Sequence, residues 1–183
     1  MAQELLLGLL MGFIFQLVFQ VFILGGQIIA LQAGLGFATM IDPASRASVP
    51  LVGQFYLILV SLMFLTLNGH LAALEALLGS FKELPVGDIQ LDMTRITDII
   101  RFSGWMFKEA VLVALPAIAS LLIVSLSFGI MTKVSSQLNI FSLGFPLTLL
   151  AGIILLRLTL TGVGDQIVDS LDIGMQLLHR MVR

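Results

Sequence analysis

Residues 5–41 read LLLGLLMGFIFQLVFQVFILGGQIIALQAGLGFATMI, 37 positions without one formal charge. A spanning helix needs only about 20 residues to cross about 30 Å of hydrocarbon. At 1.5 Å per residue an unbroken rod of this length would reach about 55 Å, so the stretch is expected to break or bend. Gly25-Gly26 and Gly34-x-Gly36 are the expected weak points, because glycine in a helix costs about 1 kcal/mol against alanine.

Further charge-free intervals follow at 47–74, 110–132 and 134–156, of 28, 23 and 23 residues. The last two fit one spanning helix each. Pro116 interrupts the first of these, and Gly144-Phe145-Pro146 the second. A carbonyl freed by proline inside a bilayer needs a partner from protein or water, so the prolines predict helices broken or kinked within protein surroundings. Composition agrees with a membrane class: 58% of the 183 residues are apolar and 11% charged, against about 45–50% and about 25% in soluble domains. The fold class expected is therefore all-α, with membrane-associated helical hairpins and kinked or broken helices.

Nine basic and 11 acidic residues leave a net charge of -2, which offers no electrostatic footprint for nucleic acid. Cysteine is absent, which excludes disulfides, thiol catalysis and cysteine-based metal sites. The opening MAQELLLGLLMGF has no basic n-region, so a cleavable signal peptide is not expected. Lysine and arginine are spread without the asymmetry that would set orientation.

Two segments are amphipathic. Residues 81–109 hold 9 of the 20 charged side chains, with Asp92, Arg95, Asp98 and Arg101 alternating in sign every three positions. Side chains at that spacing share a helix face and can pair, so this connector reads as a helix leading into the third apolar segment. In the tail, residues 166–183, Ile167, Val168, Leu171, Met175 and Leu178 lie on one face. Asp165, Asp169 and Asp172 lie opposite, and His179, Arg180 and Arg183 suit the negative end of the helix dipole.

Small residues recur every fourth position at Gly26, Ala30, Gly34 and Ala38, and again at Gly8 and Gly12. Such stripes let helices approach closely in lipid, although glycine is also simply common in membrane helices. Gly162-Val163-Gly164-Asp165 matches the G-x-G-D of aspartyl intramembrane proteases, but that chemistry needs a second carboxylate close by. The other candidate acid, Asp42, sits in the turn Ile41-Asp42-Pro43. Asn68-Gly69-His70 with Glu75 could be a metal or proton site, or a helix C-cap at the end of its apolar interval. Arg157, between Leu156 and Leu158, could pair with another subunit or snorkel. Gly34 to Pro43 combines flexible glycines, bulky apolar side chains and a proline turn, which suits either a hydrophobic pore constriction or an ordinary inter-helix loop.

Three blocks carry a family resemblance: GQIIALQAGLGFATMIDPAS (26–45), FLTLNGHLAALEALLGSFKELPVG (64–87) and SSQLNIFSLGFPLTLLAG (135–152). Together and in this order they resemble the FliR family of flagellar export-gate subunits; a sister family serves virulence-associated type III secretion. The resemblance implies a non-enzymatic subunit without cofactor or metal. It would assemble with FliP-like and FliQ-like subunits and an FlhB-like protein into a helical gate of the bacterial inner membrane, within the flagellar basal body. Unfolded flagellar substrates would pass through it. A small-molecule transporter is the remaining alternative, motivated by broken apolar helices that could line a midplane site.

The same resemblance implies residue roles. Leu35, Phe37, Met40 and Ile41 would form the plug of the pore, on a hinge of Gly34, Gly36, Asp42 and Pro43. The family more often has an aromatic residue where Met40 stands, and a flexible thioether still fills space. It also divides the chain: residues 1–80 would be the later part of a FliP-like half, with the plug at about 34–43. Residues 110–165 would be a FliQ-like hairpin. Family members carry a further N-terminal stretch, so this portion is expected to be missing here.

Overall fold

The computed structural model describes residues 2–35, 51–83, 93–134 and 140–182, and among them every regular element is a helix. They are α1 (Ala2–Gln32), α2 (Leu51–Thr66), α3 (Gly69–Glu83), α4 (Met93–Val134) and α5 (Ile140–Val182). Three are long and apolar enough to cross a membrane, or four if the bent pair α2–α3 counts as one span. The all-α, membrane-type fold expected from the sequence is the one observed.

α1 sits at the centre, packed on α4, α2 and α5. Its buried side chains, Leu7, Met11, Ile14, Val18, Val21 and Ile29, recur at three- and four-residue spacing and so form one stripe along the helix. Leu5, Leu9, Phe13 and Leu31 on the other side are exposed. Apolarity all round hides that stripe from a reading of the sequence. α4 answers with Ile99, Phe102, Met106, Ala110, Val113 and Ala117, and α5 with Val163, Ile167, Leu171 and Leu178. A Cβ on Gly174 would meet Val18, and one on Gly152 would meet Ala33, so α5 runs antiparallel to α1.

The expected break at Gly25-Gly26 does not occur; α1 continues through it. The glycines serve close approach instead. A Cβ on Gly25 would lie 3.1 Å from both the Ala110 carbonyl oxygen and Val113 Cγ1 of α4. One on Gly26 would lie 2.6 Å from Tyr56 Cδ2 and 3.0 Å from the Gly53 backbone of α2. Partner helices on both sides hold the backbone straight where the bare sequence looks weak.

Pro116 and Pro146 likewise lie inside continuous helices. Each ring removes one backbone donor, but both prolines are exposed and obstruct no packing within this chain. The amphipathic connector joins the third apolar segment as one 42-residue helix, and the tail belongs to the 43-residue α5. At 1.5 Å per residue each reaches about 65 Å, roughly twice the hydrocarbon thickness. In the tail, Ile167, Leu171 and Leu178 are buried and the three aspartates exposed, whereas Val168 is also exposed. Arg95 keeps a buried Nη1 without a hydrogen-bond partner among the described residues.

The opening charge-free stretch breaks instead at its second weak point, where α1 ends before Gly34, and a separate sharp bend comes at Asn68, where α2 and α3 meet at 66°. Asn68 has φ 56° and donates its N–H to the Leu65 carbonyl, closing α2. Its own carbonyl then accepts from Leu71 and Ala72 and opens α3. Asparagine tolerates this left-handed conformation better than most residues. The C-cap role expected of His70 therefore falls to Asn68, and His70 stands in the first turn of α3. Phe64 clasps the bend, edge-on to Phe15 and Phe19 of α1 with centroids at 5.6 and 5.5 Å.

Candidate functional site

α1 ends in a Schellman motif. Leu35 N–H donates to the Ala30 carbonyl at 2.9 Å and Gly34 N–H to Leu31 at 3.1 Å, with Gly34 at φ 81°. This pairing satisfies carbonyls that a helix end otherwise leaves open. Leu35 then folds back onto the core beside Ala30, as the sixth residue of such motifs commonly does. The sequence marks Gly34 as a hinge; in the structure it is also the helix stop.

Beyond this cap lies a cleft of about 510 Å³. Its walls are Ile29, Ala33 and Leu35 from α1, Leu51, Val52, Phe55 and Ile58 from α2, and Gly152, Ile153 and Leu156 from α5. Among the described residues Gln54 supplies the only polar side chain of the lining. The volume falls within the 300–1,000 Å³ of ligand pockets, but such pockets usually add several convergent polar groups. Among the described residues nothing ionisable lines this cleft. It can accept or exclude apolar groups.

Leu35 and Leu51, which bound residues 36–50, both line the cleft. Of the residues the resemblance assigns to a plug and hinge, Leu35 and Gly34 are therefore placed. Gly36, Phe37, Met40, Ile41, Asp42 and Pro43 lie outside the described residues, as does Ala38 of the small-residue stripe. Gly26 and Ala30 are buried in α1, with Gly26 at its crossing with α2, whereas a Cβ at Gly8 or Gly12 would meet nothing within 4 Å. The stripe thus has two halves, one used inside this chain and one facing away from it.

The remaining constellations stay apart. Asp165 and Arg157 are exposed on α5, and Asp42 is outside the described residues. His70 has a buried Nδ1 without a hydrogen-bond partner among the described residues, and Glu75 is exposed. Among the described residues no three His, Asp or Glu side chains could hold a metal together.

Sequence reasoning passed over the residues behind the cleft. Tyr56 is fully buried against Gly26, and among the described residues its hydroxyl makes no well-formed hydrogen bond. Thr159 of α5 reaches toward it but donates its own hydroxyl to the Leu155 and Leu156 carbonyls at 3.0 and 3.1 Å. A lone tyrosine in an apolar run was the available signal, since a phenol in lipid must find a partner somewhere.

Known proteins supply the family. The family described as Bacterial export proteins, family 1, matches residues 1–173. The flagellar biosynthetic protein FliR of Escherichia coli (strain K12) is 38% identical over 154 residues, 84% of this chain and 59% of that protein. FliR of Bacillus subtilis (strain 168) is 32% identical over 161 residues, 84% of this chain and 61% of its own length. The surface presentation of antigens protein SpaR of Shigella flexneri is 28% identical over 156 residues, covering 85% of this chain and 60% of SpaR. The chain spans about 60% of the length of these curated relatives. The FliR resemblance read from the three sequence blocks holds, and the chain belongs to the bacterial export proteins, family 1.

Proposed function

We propose that this chain is a subunit of the flagellar type III export gate in the bacterial inner membrane, forming part of the channel that unfolded flagellar proteins cross. The observation that carries this reading is the family match along residues 1–173, with relatives named as flagellar biosynthetic proteins. Two structural features support it. The described lining of the cleft at the foot of α2 is apolar but for Gln54, which suits a hydrophobic constriction. Long apolar faces of α4 and α5 lack a partner among the described residues, which suits assembly with FliP-like and FliQ-like subunits and an FlhB-like protein. No catalytic residue and no cofactor enters the proposal.

Within that gate Leu35, Phe37, Met40 and Ile41 are proposed as the plug, carried on Gly34, Gly36, Asp42 and Pro43. Replacing both Phe37 and Met40 with alanine is expected to raise ion leak through the assembled gate while the subunits still co-purify. Unchanged conductance in an assembled double variant would remove the plug assignment. A free chain indifferent to FliP-like and FliQ-like partners in mild detergent would count against the gate itself. The match to SpaR keeps one second reading, the equivalent subunit of a virulence type III system. Complementation of a flagellar against a virulence-system deletion separates the two.

A further inference from the structure

Several short hydroxyls among the described residues satisfy themselves on their own helices. Ser61, Ser103, Ser120 and Ser127 each donate to the carbonyl four residues back, at 2.7 to 3.1 Å, the usual solution for serine and threonine in apolar helices. Tyr56 cannot do so, because its hydroxyl sits at the far edge of the ring, beyond reach of its own backbone. It is fully buried, and among the described residues its oxygen has Thr159 within reach but no well-formed hydrogen bond. A buried polar group left unpaired is costly in a low-dielectric interior.

Its position gives that hydroxyl a use. Val52, Tyr56 and Val60 form the buried edge of α2, and Tyr56 lies one turn behind Val52, a wall of the cleft. On α5, Thr159 stands one turn behind Leu156, which belongs to the opposite wall. Tyr56 and Thr159 thus face each other across the same two helices as the cleft, one layer deeper. Thr159 uses its proton on its own helix but retains lone pairs, so in a bond between the two the phenol is the donor and Thr159 the acceptor. On its other side α2 is held against α1, where Gly26 and Gly53 bring the two helices nearly into backbone contact.

We propose that Tyr56 and Thr159 form a latch on the cleft: when α5 closes on α2, the Tyr56 hydroxyl donates to Thr159 Oγ1, and this bond holds the two walls together. The latch stands on the cleft's geometry and rests on the gate reading only for what its movement serves.

The absence of cysteine from the chain makes the test direct. Phe55→Cys and Ile153→Cys place one thiol on each wall, at side chains exposed on the rim. The rate of their disulfide formation in membranes holding the full chain reports closure. Tyr56→Phe or Thr159→Val is expected to slow cross-linking about fivefold, the worth of one typical hydrogen bond. The two together should slow it no further, and Thr159→Ser should keep the parental rate. Unchanged or faster rates, or effects of the pair that multiply, overturn the latch. A melting temperature of Tyr56→Phe equal to the parent's separates lost closure from lost folding. The readout needs no export, so a failed latch and a failed gate are told apart by ion leak.

Discussion

α1 and α5 are both apolar enough to span a bilayer, yet 39% of the apolar window of α1 is buried within the chain and only 11% of that of α5. α4, with 22%, lies between. In water such a difference would mark α5 as misfolded or aggregating. In lipid it carries no such penalty, because apolar tails replace water on an uncovered face and association depends on close packing. Burial in this fold therefore measures where side chains interlock, not where hydrophobicity is greatest. α1 interlocks through glycines and a stripe of medium-sized side chains. The middle of α4 and the first half of α5 show Leu122, Ile123, Leu126, Leu150 and Ile154 outward, a surface for lipid or for other subunits.

The largest expected effect tests that contrast at glycine. Gly26→Val puts a branched Cβ where Tyr56 Cδ2 stands 2.6 Å away and the Gly53 backbone 3.0 Å away. Backbone atoms cannot swing aside, so the loss should sit near the upper end of overpacking penalties, about 3 kcal/mol. Gly12→Val meets open space in the chain and should leave its stability within about 0.5 kcal/mol. Denaturation of the two variants in mild detergent measures the difference. Equal losses would mean that the crossing of α1 and α2 is not where this chain is held.

A smaller separation is expected for large-to-small changes. Phe22 is fully buried in α1 and Leu126 is 68% exposed on α4. The transfer part of the usual penalty weakens when lipid is the reference, leaving the cavity part. At about 24 cal/mol per Å³ over on the order of 100 Å³, Phe22→Ala loses about 2 kcal/mol. Leu126→Ala should be silent in the isolated chain. In a gate complex it should instead weaken co-purification, if α4 meets a partner there. Silence in both settings would give that face to lipid.

The contrast also explains what the sequence discloses. Charge-free intervals and the count of long helices are written in composition, since only helices satisfy their own backbone in hydrocarbon. The site is not. Leu35, Phe55 and Leu156 converge from segments up to 121 positions apart, and no local period links them. Gly25-Gly26 misleads for the same reason: glycine weakens an isolated helix but favours a packed one, and the deciding partners, Gly53 and Ala110, are remote. Asn68-Gly69 carries a turn signal that the nearby histidine obscures. The charged face of the tail was legible because its three aspartates keep to the exposed side, whereas the connector was legible only in part: Arg95 is half-buried, and Ile100 and Phe107 are exposed.

The smallest effect concerns how α1 ends beside the cleft. Gly34 holds φ 81°, a conformation that brings a Cβ against the following carbonyl and costs a non-glycine residue about 1–2 kcal/mol. Gly34→Ala should therefore lose about 1 kcal/mol, and Gly34→Asn less, because asparagine tolerates the left-handed region. The loss should be local. The Schellman bonds to Ala30 and Leu31 open first, so amide exchange at Gly34 or its replacement and at Leu35 should rise about fivefold, while amides near Phe22 keep their protection. Exchange confined to the cap would place the soft end of α1 at the cleft and its rigid part at the glycine crossings. Exchange rising along the whole helix would make α1 a single cooperative unit, with the cap holding the core together as firmly as the Gly26–Gly53 contact does.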